Sequence, residues 1–266
     1  MPAPIDLNFA LRLSPPEVAA YLQRQGYELS FNWFDVWQEA NARSFTVAKV
    51  ASLDVLQAIH DVVKRIVTDG ITERDFIRQL TPELQKLGWW GVQEVELDDG
   101  TTRKVQQGSP RRLRTIYETN LQTALSVGRY KQQITASRLR PFWQYQTLDD
   151  QRVRLTHAAL HQRVFRADDP IWRTIYPPNG FGCRCSVRSL SLRRLEREGL
   201  VVESSEGKTR TVLREAGVDK VTGEVVMKPV TVVTLKDAFG NDVVFSNDPG
   251  WNYNPGEAWL FDEDAA

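Results

Sequence analysis

Apolar residues in the first hundred positions recur at helical spacing, and the breaks between them carry start and stop signals. Ser14-Pro15-Pro16-Glu17 sets a Ser N-cap, first-turn prolines and a capping-box Glu ahead of a helix that Gly26 ends. Trp33, Trp37 and Ala40 share one face and predict a second helix from about Asn32 to Val50. Leu56, Ile59, Val63, Ile66 and Val67 form the stripe of a third, capped by Ser52 and ended by Gly70. A fourth starts at Thr72, with Asp75 three residues on, and runs to about Leu87. His60 lies on the third helix with no cysteine near it and reads as a surface or boundary histidine.

The pattern breaks between Gly88 and Gly108, where Trp89-Trp90 and Asp98-Asp99-Gly100 predict a hairpin or ordered loop. Ser109-Pro110 then opens the longest helix, to about Ser137, lined by Leu113, Ile116, Tyr117, Leu121, Ala124 and Leu125. Phe142 to Tyr145 alternates as a strand, a short helix starts near Thr156, and Asp168 to Gly182 is a proline- and glycine-rich loop. Beyond Val201 the β-branched runs at Val225–Met227, Val230–Leu235 and Val243–Phe245 predict strands. Asn247 to Gly256 is turn chemistry with aromatics, expected to lie extended over a surface before a frayed acidic tail. The expected class is α+β. A mainly helical region spans 1–108, a mixed α/β centre holding a Cys-x-Cys motif spans 109–200, and a small β-rich extension spans 201–266.

Composition narrows the class. Of 266 residues, 41% are hydrophobic and 26% charged, which excludes wholesale disorder. No stretch approaches the roughly 18 apolar residues of a membrane span, and the first residues lack the pattern of a signal peptide. Two cysteines cannot build a disulfide framework and point to a reducing compartment. The formal net charge of zero hides a strong segmentation: −6 over residues 1–102, +12 over 103–200 and −6 over 201–266. The basic centre could attract phosphate, or the acidic arms could neutralise it.

The candidate chemistry is concentrated between His157 and Cys185, which hold two of the three histidines and both cysteines. His157 and His161 are spaced to sit one turn apart on a helix face. Cys183-Arg184-Cys185 would turn both sulfurs to one side of an extended segment. His157, His161, Cys183 and Cys185 together offer the four donors of a tetrahedral, structural zinc site. Buried core thiols and a redox-active pair stand beside that reading. Asp149-Asp150, followed by Arg152 and Arg154, reads as a salt-bridged turn rather than a Mg²⁺ site. There is no phosphate-binding glycine loop and no nucleophile elbow.

The succession Asp150-Gln-Arg-Val-Arg154, His157, Trp172 and Tyr176-Pro177-Pro178-Asn179-Gly180-Phe181-Gly182-Cys183-Arg184-Cys185 resembles the signature of the phage Mu protein F-like family of head-morphogenesis, or minor capsid, proteins. The helix carrying Thr115 to Asn120 is similar to the one that opens that domain. The resemblance is strongest over about 110–190 and extends loosely to Phe31–Trp90 and to Asp248-Pro249-Gly250-Trp251. It implies a non-enzymatic virion component, made in the host cytoplasm and built in several copies into the capsid interior or portal vertex. Its implied partners are the portal protein and the major capsid or scaffold proteins, with packaged double-stranded DNA met by the basic 103–140 segment and no membrane. Asp150, Arg154, His157, Cys183 and Cys185 carry over as a structural or metal-binding centre; His161 is not part of the pattern. The competing class is a metal-dependent enzyme or toxin acting on nucleic acid through His157, Cys183 and Cys185.

Overall fold

A computed structural model describes residues 15–30, 36, 40, 43–50, 52–96, 100–148, 150–219, 223–237 and 239–263. The chain is mixed α/β and divides into two compact units, 1–128 with 217–225 and 129–216 with 226–266. Among the described residues no helix is long and apolar enough to cross a membrane.

The first unit is built on helices whose buried stripes follow the sequence pattern. After α1 (Pro15–Arg24), a two-residue strand β1 (Gly26–Tyr27) pairs in parallel with β2 (Ser44–Phe45). Residues expected to end a helix at Val50 therefore include a strand, and Lys49 turns the chain in the left-handed region at φ 64°. Trp33 and Trp37 lie outside the described residues. Helix α2 (Leu53–Thr68) buries Leu56, Ile59, Val63 and Ile66, while Ser52 flanks it without a side-chain cap bond. Helix α3 (Glu73–Lys86) has the expected cap, Thr72 Oγ1 accepting from the Asp75 amide at 3.2 Å. Strands β3 (Val92–Glu96) and β4 (Thr102–Gln106) form the antiparallel hairpin.

His60 is not at the surface. It is 2% exposed, its Nε2 donates to the Leu22 carbonyl at 2.8 Å, and its ring stacks on Phe45 at 4.4 Å. The fixed carbonyl makes Nε2 the protonated nitrogen, leaving Nδ1 to accept from the Tyr27 hydroxyl at 3.2 Å. Spacing alone hides this, because His60 sits inside the apolar arc of α2 and its partners come from α1 and β1.

The long helix α4 (Pro110–Thr135) supplies both units, changing membership at Gly128. In the second unit the central strand β5 (Phe142–Gln146) is antiparallel to β6 (Val164–Arg166) and to β7 (Ser186–Leu190), and β8 (Val202–Glu203) runs parallel to β6. Trp143 on β5 faces Phe165 and Ser189 in register. Its indole meets Tyr130, Trp172 and Tyr176 at steep interplanar angles with centroids 5.5–5.8 Å apart. Such edge contacts add about 0.5–1.5 kcal/mol each beyond burial. Short helices α5 (Leu155–Ala158), α6 (Trp172–Ile175) and α7 (Leu192–Arg197) fill the connections.

A second sheet has the order β11–β10–β9, from β9 (Thr209–Val218), β10 (Val225–Lys236) and β11 (Asp242–Ser246). The two β-branched runs of 225–235 are one strand, continuous through Pro229. The segment after β11 does not lie extended over a surface; residues 264–266 of the expected acidic tail lie outside the described residues. The segment enters helix α8 (Pro255–Glu263), with Trp251, Tyr253 and Trp259 buried. Asn254 accounts for the turn: its Oδ1 accepts from the Gly256 and Glu257 amides while its Nδ2 donates to the Trp172 carbonyl.

Candidate functional site

Three of the four sequence-derived donors converge. His157 stands on α5, tilted against Phe245 of β11 with ring centroids 5.8 Å apart. Cys183 follows a turn closed by its amide to the Gly180 carbonyl, and Cys185 directly precedes β7. As the period-two reading anticipates, both sulfurs face one partner: His157 Nδ1 lies 3.9 Å from Cys183 Sγ and 3.6 Å from Cys185 Sγ. All three residues are buried, and the cysteines are not disulfide-bonded. His157 Nε2 is buried without a hydrogen-bond partner among the described residues.

His161 stands apart, which corrects its expected place beside His157. The helix ends at Ala158, and the His161 Nδ1 instead accepts from the Thr147 amide at 3.1 Å. The two thiols are shifted in opposite directions. A hydrogen bond from Cys185, helped by His157, holds Cys183 well below the usual thiol range against the opposing effect of burial. The same hydrogen bond to Cys183, with burial, pushes Cys185 far up. Burial also raises Tyr145.

Ion pairs brace the group. Arg184, between the cysteines, makes a two-point contact with Asp150 at 2.7 and 2.6 Å, and its hydrogen bonds pull that carboxyl down to about 2. Arg154 donates to the Phe181 carbonyl and to Asp248 Oδ2, each at 2.9 Å. The ion pairing expected within the turn is replaced by long-range pairs: Asp150 holds Arg184 and accepts from the Arg152 backbone amide at 3.0 Å, while Arg154 goes to Asp248; Asp149 lies outside the described residues.

Sequence reasoning missed the supporting shell. Asn179, fully buried, accepts from the Tyr145 hydroxyl at 2.8 Å, and its backbone carbonyl accepts from the Asp248 amide. Asn247 donates to the Thr174 and Trp251 carbonyls at 2.6 Å. The available signal was the run of turn residues from Asn247 to Trp251, whose spatial partner no local pattern reveals.

The buried His–Cys–Cys group thus lies beside a proline-glycine loop that the returning Asp248 packs against. Residues 57–188 match the family described as Phage Mu protein F like protein. The chain belongs to this phage Mu protein F-like family. It is 45% identical over 255 residues to the "Putative capsid assembly protein F" of Escherichia phage Mu, covering 96% of this chain and 57% of the relative. It is 42% identical over 230 residues to the Mu-like prophage FluMu F protein of Haemophilus influenzae, covering 86% of this chain and 53% of that one. The chain spans about half the length of the curated relatives it matches. No solved structure matches.

Proposed function

We propose that this chain serves as a structural component in assembly of a tailed-phage or prophage head, acting near the portal during prohead formation and DNA packaging. The observation that carries the reading is the 45% identity to a protein named for capsid assembly, sustained over nearly the whole chain. The same reading places the protein in the virion, in contact with portal, major capsid or scaffold proteins.

The charge map tempers the DNA-binding part. Several arginines of the basic centre are spent on acids of the C-terminal segment: Arg154 on Asp248, Arg163 on Glu203, Arg173 on Glu257. These arginines lie outside the 103–140 segment, so their pairing supports neutralisation of the later part of the basic centre only; protein partners come first because the phage Mu relative is named for capsid assembly, and packaged DNA second. The test is deletion of the coding region from its prophage, with heads imaged after induction. Aberrant or empty heads, restored by the wild-type chain in trans, support the role; normal, DNA-filled heads overturn it. Restoration by a folded His157→Ala chain argues against the metal-dependent enzyme alternative.

A further inference from the structure

Two sulfurs approach one imidazole nitrogen. A neutral imidazole offers a single lone pair at its unprotonated nitrogen, so it accepts from one thiol, not from two. Without a metal, the hydrogen bond from Cys185 to Cys183 spans the pair; a cation shared by the three atoms would take its place. One distance matches and the other is a few tenths of an ångström longer: with Zn–S of about 2.3 Å and Zn–N of about 2.0–2.1 Å, tetrahedral geometry separates sulfur from nitrogen by about 3.5–3.6 Å. The observed separations are 3.6 and 3.9 Å, and all three donor atoms lie within 4.8 Å of one another. No hydrogen bond holds the ring by Nε2; its orientation is set by the sulfurs and by packing on Phe245.

The fourth corner is the informative one. Among the described residues no further His, Cys, Asp or Glu joins the group. Instead a cavity of about 20 Å³ opens beside it, lined in part by Leu148, Gly182, Arg152, Arg154 and Arg184. That is room for about one water molecule. Arg154 and Arg184 are pinned by Asp248 and Asp150, so their guanidiniums are held at the cavity wall rather than swinging into solvent.

We infer that His157, Cys183 and Cys185 form a three-donor site for zinc whose fourth position opens into this arginine-lined cavity and takes an exchangeable water or small anion. A closed structural site would draw four ligands from the chain; three ligands and an open corner define the accessible kind. Two thiolates and a neutral imidazole cancel the charge of Zn²⁺, and the guanidinium N–H groups at the cavity wall offer hydrogen bonds to a water or small anion at the fourth position. This inference is independent of the head-assembly role.

The test uses the whole chain, purified under reducing conditions, with zinc measured by mass spectrometry and cobalt(II) exchanged in as a spectroscopic probe. The expected result is about one zinc per chain, lost in Cys183→Ser and Cys185→Ser and retained in His161→Ala. The cobalt form should show thiolate charge-transfer and tetrahedral ligand-field bands that shift on adding azide while the cobalt stays bound. No metal uptake after reconstitution, with both thiols freely titratable, would overturn the site. Zinc loss in a folded His161→Ala chain would overturn the three-donor set, and cobalt bands indifferent to azide would overturn the open position. If the cysteine variants do not fold, the cobalt spectrum of the wild-type chain decides.

Discussion

A Cβ built on Gly180 would stand 2.2 Å from Asp248 Oδ2. Gly180 belongs to the loop that delivers Cys183, and Asp248 to the segment that returns after β11, so the two strips are packed without room for a methyl group. Asp248 is also the carboxylate that holds Arg154. Glycine is required here by close approach and not by backbone conformation, since Gly180 does not occupy the left-handed region.

Gly180→Ala should therefore cost about 1–3 kcal/mol, the usual penalty of overpacking. Combined with Asp248→Ala, which removes the carboxylate but leaves Arg154 without its partner, the two losses should be markedly less than additive in urea unfolding. Strict additivity would show that the strips move apart freely.

Arg112→Lys tests a different anchor. The guanidinium donates to the carbonyls of Ala48, Gln106 and Gln107 and lies 4.7 Å from the Trp89 ring centroid. Burial lowers its pKa to about 10, so it remains charged at neutral pH. An ammonium cannot reproduce that fork. The expected loss is about 1.5–3 kcal/mol, the worth of a hydrogen bond to a charged group; an unchanged thermal midpoint would contradict the assignment.

His60 gives the fold a pH dependence. Desolvation by burial lowers its pKa below the free value of about 6.5. Unfolding then takes up a proton, so the contribution is full above about pH 6.5 and is lost as pH falls from there toward the folded value. Melting temperature should drop between pH 7.5 and 5.5, and His60→Gln should flatten that slope. A slope equally steep in the variant would assign the effect to other groups.

Asn179→Ala should destabilise by about 1–3 kcal/mol, the usual cost of losing a buried hydrogen-bond partner, because it removes the acceptor of the Tyr145 hydroxyl and leaves that group only Cys185. A local readout accompanies it: Cys183 should react faster with a thiol reagent. Faster unfolding without greater thiol reactivity would separate Asn179 from the site.

What the sequence made legible is what is local. The Thr72–Asp75 cap, the stripe of α2, the long helix from Pro110 and the paired orientation of Cys183 and Cys185 all follow from neighbours within a few positions. His161 was misplaced because the helical periodicity connecting it to His157 stops at Ala158, where the chain turns to meet Thr147. The buried tail from Asn247 onward was misread for the same reason: asparagine and proline spell a turn in any context, and only the Thr174, Asn179 and Trp172 contacts show that this turn is interior. The α+β class survived these errors because it rests on periodicity, not on partners.

The returning segment also sets an order in time. Cys183 and Cys185 leave the ribosome before Phe245 and Asp248, which at ~5–20 residues per second arrive only seconds later. Through that interval the thiols lack the residues that pack on His157 and on the Gly180 loop. The group is thus completed by residues made well after it, and a message cut short before Phe245 yields a protein whose His157 lacks its aromatic neighbour and whose Gly180 loop lacks Asp248. Truncated products should be recognisable to the cell's proteases at once, a form of quality control written into the order of the residues.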